Sequence, residues 1–127
     1  MQLKKFFLGA MMMAAATSQV VSSPAYAHHS FAMFDQTRTM QANVVVSRIE
    51  WTNPHAYLFF TLAGKSGNDA RVAVECGSIN LLARKGWKFS SLRVGETVTL
   101  AYHPFKNGRQ GGMLVSVTKK DGTTLKG

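Results

Sequence analysis

The sequence has 127 residues, of which 15 are Lys or Arg and 6 are Asp or Glu, so its formal net charge is +9. This length allows one domain, and the single cysteine excludes a disulfide within the chain. No basic run reaches five residues, which excludes a nucleic-acid tail, whereas the basic surface favours acidic partners.

The first 27 residues have the layout of a secretory signal peptide. Lys4 and Lys5 precede an apolar run of 11 residues, 6–16, and Ala25-Tyr26-Ala27 is an A-x-A cleavage site. The run is shorter than the roughly 20 apolar residues of a membrane span. We therefore expect cleavage after Ala27, a periplasmic or secreted protein, and no transmembrane segment in the mature chain.

The mature chain, residues 28–127, has 100 residues and a net charge of +7 once Lys4 and Lys5 are removed. Residues 28–38 show no clean hydrophobic period, which predicts an arm whose two phenylalanines and methionine pack against the domain. Residues 39–127 form the predicted domain.

Three strands are predicted in the first half of this domain: Met40–Trp51, Ala56–Ala63 and Ala70–Cys76. They are rich in β-branched or aromatic residues, and the first ends at Asn53-Pro54 because proline cannot donate a ladder hydrogen bond. Alternation in the third strand places Cys76 on its apolar face. A buried, inert thiol is therefore favoured over a reactive or cross-linking one.

At the start of the second half of the domain, the spacing of the apolar residues changes from that of a strand to that of a helix. Ser78 is a candidate N-cap for a short helix over Ile79–Lys85, and Gly86 is its stop. An irregular stretch follows, from which three apolar side chains are expected to close a barrel end: Trp87, Phe89 and Leu92. Two further strands are predicted over Thr97–His103 and Met113–Lys119, before a short tail.

The element order is therefore β-β-β-α-β-β, which is the order of the OB-fold, a small five-stranded barrel with one helix between strands 3 and 4. The alternative is a flat meander with an added hairpin. An all-β, OB-like barrel is favoured because closure hides the strand edges that so small a sheet would expose.

OB-folds bind ligands on the face of strands 2 and 3 and through the loops joining strands 1–2 and 4–5. In this chain the two loops each carry a histidine beside a proline, at Pro54-His55 and His103-Pro104. We expect them to meet at one end of the barrel as a binding mouth. The candidate ligand-binding residues are Trp51, Asn53, His55, Tyr57, His103, Lys106 and Arg109.

Metal binding is one chemistry for such a mouth. Cleavage after Ala27 frees the amine of His28, which together with its imidazole can chelate Cu(II) or another transition metal. The candidate metal ligands are His28, His29, His55 and His103. The amino terminus reaches His55 only if the arm folds back along the barrel, because the arm and the first strand otherwise lead apart.

Anion binding is the second chemistry. Lys106 and Arg109 flank Asn107-Gly108, and Gly111-Gly112 offers backbone N–H groups to a phosphate or carboxylate. An ordinary hairpin loop with solvated charges is the simpler interpretation. Hydrolytic chemistry has no support, because no G-x-S-x-G motif, nucleophile–base pair or paired carboxylates is present, and we expect no enzyme.

Several motifs resemble those of a family of short secreted bacterial proteins of unknown function. They lie across the mature chain: Ala27-His28-His29-Ser30-Phe31, Trp51-Thr52-Asn53-Pro54-His55, Arg84-Lys85-Gly86-Trp87, Gly95-Glu96-Thr97 and His103-Pro104. The resemblance implies a single exported domain and carries no activity. It includes every histidine of the candidate site.

The leading hypothesis is a monomeric periplasmic ligand-binding or accessory protein. Its partner would be a small anion, a metal or an acidic envelope component, and not nucleic acid. A copper protein using His28 with His55 and His103 is one alternative, and a structural envelope component is another.

Overall fold

The computed structural model of the protein describes residues 31–127. The predicted signal peptide, His28 and His29 lie outside the described residues. Phe31 and Ala32 are helical. The elements that follow them are six strands and one short helix: β1 (Met40–Glu50), β2 (Tyr57–Leu62), β3 (Arg71–Glu75), α1 (Ile79–Arg84), β4 (Thr97–Pro104), β5 (Gly111–Lys119) and β6 (Thr124–Lys126). Two single 3₁₀ turns, Asn68–Ala70 and Phe89–Ser91, precede β3 and β4.

The five predicted strands and the helix are all present, and the strands close into a barrel. Neighbours run in the order β3-β2-β1-β4-β5, and a parallel pairing of β3 with β5 joins the two ends. This confirms the OB-like barrel and excludes the flat meander. The predicted tail is a sixth strand, β6, which pairs with β5 through Val117 and Leu125.

Strand β1 belongs to both halves of the barrel. Its first half pairs with β4 over Met40–Val45, and its second half pairs with β2 over Val44–Glu50. The register with β2 shifts between Val46 and Arg48. Such a bulge bends a strand and increases its twist, which lets one strand turn the corner between two sheet halves.

Two glycines at the start of β5 allow the barrel to close. A Cβ on Gly111 would stand 1.9 Å from the carbonyl oxygen of Ala73, and one on Gly112 would stand 1.8 Å from that of His103. Both glycines are buried within β5. The sequence interpretation of these two residues as part of an anion-binding loop is therefore wrong, since they permit close backbone contact with β3 and β4.

The core fills the barrel and extends beneath α1. Its largest fully buried side chains include Phe60, Leu58, Leu82 and Leu100. Trp87 and Leu92 are 4% exposed and pack in this core, as predicted, whereas Phe89 is 69% exposed, so its predicted part in closing the barrel is wrong. Ser78 caps α1 as predicted, because its hydroxyl accepts from the Leu81 N–H at 3.2 Å.

The arm, over its described part, packs on the loop between β4 and β5. Phe34 is 2% exposed and forms a β-bridge with Phe105, whose ring centroid is 5.1 Å away. The Asp35 N–H donates to the Pro104 carbonyl at 2.8 Å, and the Lys106 N–H donates to the Met33 carbonyl at 2.9 Å. These contacts fix the course of residues 33–35 against the barrel.

Candidate functional site

The corner between β1 and β2 is attached to α1. The Asn53–Pro54 peptide bond is cis, and the Thr52 hydroxyl donates to the His55 carbonyl at 2.9 Å. The Asn53 side-chain oxygen accepts from the Ile79 N–H at 3.1 Å, which satisfies one of the free donors of the first turn of α1. Asn53 thus has a structural role, and the corner that precedes His55 is rigidly placed.

His55 is oriented by two acceptors on the end of β3. Its Nδ1 lies 3.1 Å from the Cys76 carbonyl oxygen and 3.3 Å from Glu75 Oε1. Because a carbonyl only accepts, Nδ1 carries a proton and donates it. In the neutral ring Nε2 then holds the lone pair and is the nitrogen that can accept a hydrogen bond or coordinate a metal.

His55 lies in the wall of a cavity of about 310 Å³ between the arm, α1 and the β3–β5 seam. The apolar part of the lining comes from the arm, the helix and the start of β5: Phe31, Phe34, Leu81, Met113 and Leu114. The polar side chains are His55, Glu75 and Lys85. A mostly apolar cavity with a few converging polar groups is the usual form of a small-molecule site.

The thiol of Cys76 also borders this cavity but is chemically quiet. Cys76 is 4% exposed, and burial, followed by the nearby Glu75 carboxylate, raises the pKa of its thiol to about 12. A thiol with that pKa is protonated at neutral pH and is a poor nucleophile and metal ligand. The inert-thiol interpretation agrees with this environment.

His103 lies on a row of residues that crosses four strands. In register it pairs with Met113, which pairs with Glu75, which pairs with Tyr57. His103 is therefore two strands from Glu75, with about 10 Å between their Cα atoms. Its Nδ1 donates to the Arg38 carbonyl at 2.7 Å, so it holds the far end of the arm, while His55 faces the cavity near Phe31.

The remaining predicted residues are divided among several surfaces. Trp51 is half-buried and packs against the core. Lys106 holds the arm through its backbone. Tyr57 and Arg109 lie together on the outer surface of β2 and β3, and burial, followed by Glu75 and Glu50, raises the pKa of Tyr57.

Of the residues that line this cavity, only His55 belongs to the candidate site predicted from the sequence, and the missed residues include Phe31, Phe34, Glu75, Leu81 and Lys85. Only the two aromatic residues of the arm gave a signal, as apolar side chains without a period of their own. Glu75 could have been found from the alternation of β3, which points it outward beside Tyr57 once the β2–β3 register is known.

Within residues 31–127, no group of three or more His, Cys, Asp or Glu side chains is placed to hold a metal ion. His28 and His29, which the metal hypothesis also needs, lie outside that range. The described part of the chain contains no helix with the length and hydrophobicity to cross a membrane.

A family model described as a family of unknown function, DUF6152, matches residues 16–116. No curated protein and no solved structure matches the chain. The family match covers β1 to β4, α1 and most of β5, and with them the cavity residues from Phe31 to Leu114.

Proposed function

The chain belongs to the DUF6152 family, whose function is unknown, and we propose that it is an exported, non-enzymatic binding protein. Its ligand is a small, mostly apolar molecule held in the cavity beneath the arm, with His55 as the polar anchor. Export is supported by the signal-peptide features of residues 1–27. Fractionation of expressing cells and amino-terminal sequencing test it, and recovery of the uncleaved chain in the cytoplasm would contradict it.

One observation carries the binding proposal: an oriented imidazole stands in the wall of an apolar cavity. The Cys76 carbonyl and the Glu75 carboxylate fix His55, so its ring loses little freedom when a ligand binds. A polar head group on the ligand can donate to Nε2, while the apolar body displaces water from the walls around Phe34 and Leu114.

Charge at the cavity favours a ligand whose head group is neutral or zwitterionic. Glu75 and Lys85 are both in the lining, one of each sign, so a fully anionic or fully cationic head group would meet a like charge. Lys85 is exposed, whereas the Glu75 side chain is 19% exposed. The less solvated carboxylate is the stronger influence on a bound group.

The test uses the neutral fluorescent probe N-phenyl-1-naphthylamine with the purified protein. We expect saturable binding that Leu81→Trp reduces at least tenfold, because the larger side chain at the wall occupies the cavity. Val94→Trp is the matched control: Val94 is 68% exposed and lies outside the lining, so the same added surface leaves binding unchanged. Equal binding by both variants would refute the cavity as the site.

Metal binding is a second candidate, favoured by the course of the arm. Phe31 lines the cavity with His55, and His29 precedes Phe31 by two residues, a reach of roughly 7 Å. Imidazoles that ligate metals commonly donate their second ring nitrogen to a carbonyl or carboxylate, which is the arrangement at His55. The residues that would hold the metal are His28, His29 and His55.

A Cu(II) titration separates the two candidates. Protein beginning at His28 should bind one Cu(II), and both an added residue before His28 and a His55→Gln substitution should weaken that binding at least tenfold. His103→Gln is the matched control, since His103 donates to Arg38 at the other end of the arm. If all forms bind copper alike, the metal candidate fails. A structural envelope component would bind neither copper nor the probe.

A further inference from the structure

Outside the cavity, the outer surface of β1, β2 and β3 carries a second feature that the proposed function does not use. In register, Arg48 pairs with Phe59, which pairs with Ala73, and Ala73 pairs in turn with Gly111 of β5. Alternation points Phe59 and Ala73 outward, since their neighbours Leu58, Phe60, Val72 and Val74 are buried. The outer surface thus has a large side chain on β2 and very small ones on β3 and β5.

Two depressions meet over these small residues. One is bordered by Arg48, Phe59, Thr61 and Arg71, and the other by Tyr57, Phe105 and Arg109; Ala73 and Gln110 line both. The two depressions are adjacent, with Ala73 and Gln110 between them, and together they are here called the arginine groove. The Gln110 side chain, which donates to the Asp69 carbonyl at 2.8 Å, holds the β4–β5 loop along its edge.

The two walls of the groove have the same construction. The Arg48 guanidinium lies 3.8 Å from the ring centroid of Phe59, and the Arg109 guanidinium lies 4.4 Å from that of Phe105. Stacking fixes each guanidinium plane and leaves N–H groups at its rim to donate sideways. Arg71 adds a third exposed guanidinium at one end of the groove.

The acidic residues beside the groove are already engaged. Glu50 accepts from Arg48, and Glu75 lies 3.3 Å from His55 Nδ1. Both border the Tyr57 end, because Glu50 and Glu75 pair with Tyr57 in register. The Arg71 end of the groove is therefore its most positive part, and three guanidinium groups, two of them stacked on phenylalanine rings, favour a ligand with several anionic groups.

The geometry points to an acidic oligosaccharide as the occupant of the arginine groove. Guanidinium forks match carboxylate groups, and the hydroxyls of Thr61 and Tyr57 with the amide of Gln110 provide partners for sugar hydroxyls. From Ala73 to Glu75, β3 is paired on both sides, with β2 and β5, so an extended peptide finds no open strand edge to join over this part of the groove. The rings of Phe59 and Phe105 are covered by guanidiniums, which removes the free stacking faces that single-stranded nucleic acid uses.

Calorimetric titration of the purified protein with an oligogalacturonate tests this inference. The matched ligand is the same oligomer with its carboxylates methyl-esterified, which we expect to bind at least tenfold more weakly. Polyphosphate, polyglutamate and an oligothymidylate are the competing polyanions. Tighter binding of any of these three than of the oligogalacturonate, or equal binding of the ester, would overturn the proposal.

Variants locate the site. Arg71→Gln should weaken oligogalacturonate binding about tenfold, whereas Arg93→Gln, an equally exposed arginine outside the groove, should leave it within twofold of the parent protein. Ala73→Ile changes no charge but raises the floor of the groove, and it should also reduce binding about tenfold. Thermal melting confirms that each variant is folded. Equal losses from Arg71→Gln and Arg93→Gln, or none from Ala73→Ile in a folded protein, would refute the groove.

Discussion

The cavity beneath the arm and the arginine groove share one residue, Glu75, which borders both. The cavity is lined mainly by apolar side chains from three separate segments, and its oriented polar group is one imidazole held by backbone and carboxylate. The groove is an open, charged surface built on three adjacent strands, one loop and Met33 of the arm. Under the two proposals, shape and hydrophobicity would select the ligand of the cavity, whereas charge spacing would select the ligand of the groove.

The difference has a physical consequence for how each site responds to solution conditions. Exposed charges are screened by salt, with a Debye length of about 8 Å at physiological ionic strength, whereas apolar burial is insensitive to moderate salt. The salt dependence of binding can therefore distinguish the two sites in one protein, because added salt should release a ligand from the groove and not from the cavity.

The largest expected effect is a loss of stability that disrupts both sites at once. Gly111→Ala places a Cβ 1.9 Å from the Ala73 carbonyl oxygen at a φ of +104°, so the β3–β5 seam opens, at a cost of about 3 kcal/mol. Gly64→Ala is the matched control, with a φ of +76° but no atom within 4 Å, and should cost only about 1 kcal/mol. Urea denaturation measures both, and equal losses would show that backbone conformation alone matters at Gly111.

The second effect uses Cys76 as a reporter inside the cavity wall. Because the thiol pKa is raised to about 12 from an ordinary value of 9.0, iodoacetamide should react roughly a hundredfold or more slowly with the folded than with the urea-unfolded protein. A cavity ligand should slow the reaction further, and a groove ligand should not. Comparable rates in the folded and unfolded protein would contradict the buried thiol.

The same pKa shift determines how the free energy of unfolding changes with pH. The folded protein keeps the Cys76 proton between pH 9.0 and about 12, where the unfolded chain loses it. The free energy of unfolding therefore falls as pH rises through that window, and this contribution is absent below it. Cys76→Ala should remove that part of the pH dependence, measured by urea denaturation at several alkaline pH values.

The third effect separates the two sites by detaching the arm. Phe34→Ala removes a ring that is 2% exposed and should cost about 2 kcal/mol. Binding of N-phenyl-1-naphthylamine should be lost, because Phe34 lines the cavity. Binding of oligogalacturonate should change less than threefold, because the arm contributes only Met33 to the groove, and the bond from Phe105 N–H to the Gly111 carbonyl still holds the wall that carries Arg109. Phe89→Ala, at a ring 69% exposed, is the control and should alter neither.

The smallest expected effect is a change in ligand affinity at the groove alone. Glu50→Gln frees the Arg48 guanidinium and removes a negative charge near Tyr57, so oligogalacturonate affinity should rise twofold to threefold, by about 0.5 kcal/mol. Stability should change by less than about 0.5 kcal/mol, because both partners of the pair are exposed. Asp121→Asn removes an exposed negative charge elsewhere and should leave affinity unchanged. A fall in affinity with Glu50→Gln would show that the Arg48–Glu50 pair itself positions the ligand.

The OB-like barrel could be predicted from the sequence because the residues that begin and end its strands and helix act locally. Asn53-Pro54, the glycines after β2 and the Ser78 cap end or begin elements by effects that act within a few residues. The sixth strand was missed because Thr124–Lys126 has three residues, too few for a period of its own.

The candidate sites were harder to predict because the register between neighbouring strands determines which residues lie together. His55 and His103 look equivalent in sequence, each beside a proline, yet one faces a cavity and the other holds the arm through Arg38. Their separation follows from which residues of β3, β4 and β5 pair, and the closing glycines that set this register resemble loop residues. Tyr57 and Arg109 were selected for a mouth with His55 but lie in the groove.

The parallel β3–β5 seam also bears on the order in which the chain folds. It joins positions 73–75 to positions 111–113, whereas β1–β2, β2–β3 and β4–β5 are antiparallel pairs of strands adjacent in sequence. Contacts between distant positions require the closure of a long loop, so they form after the local hairpins and slow folding to milliseconds or longer. The β1–β4 pairing joins positions 40–45 to positions 97–102 and is also non-local. We therefore expect the seam and the β1–β4 pairing to assemble after the local hairpins, and both candidate sites to form with the seam.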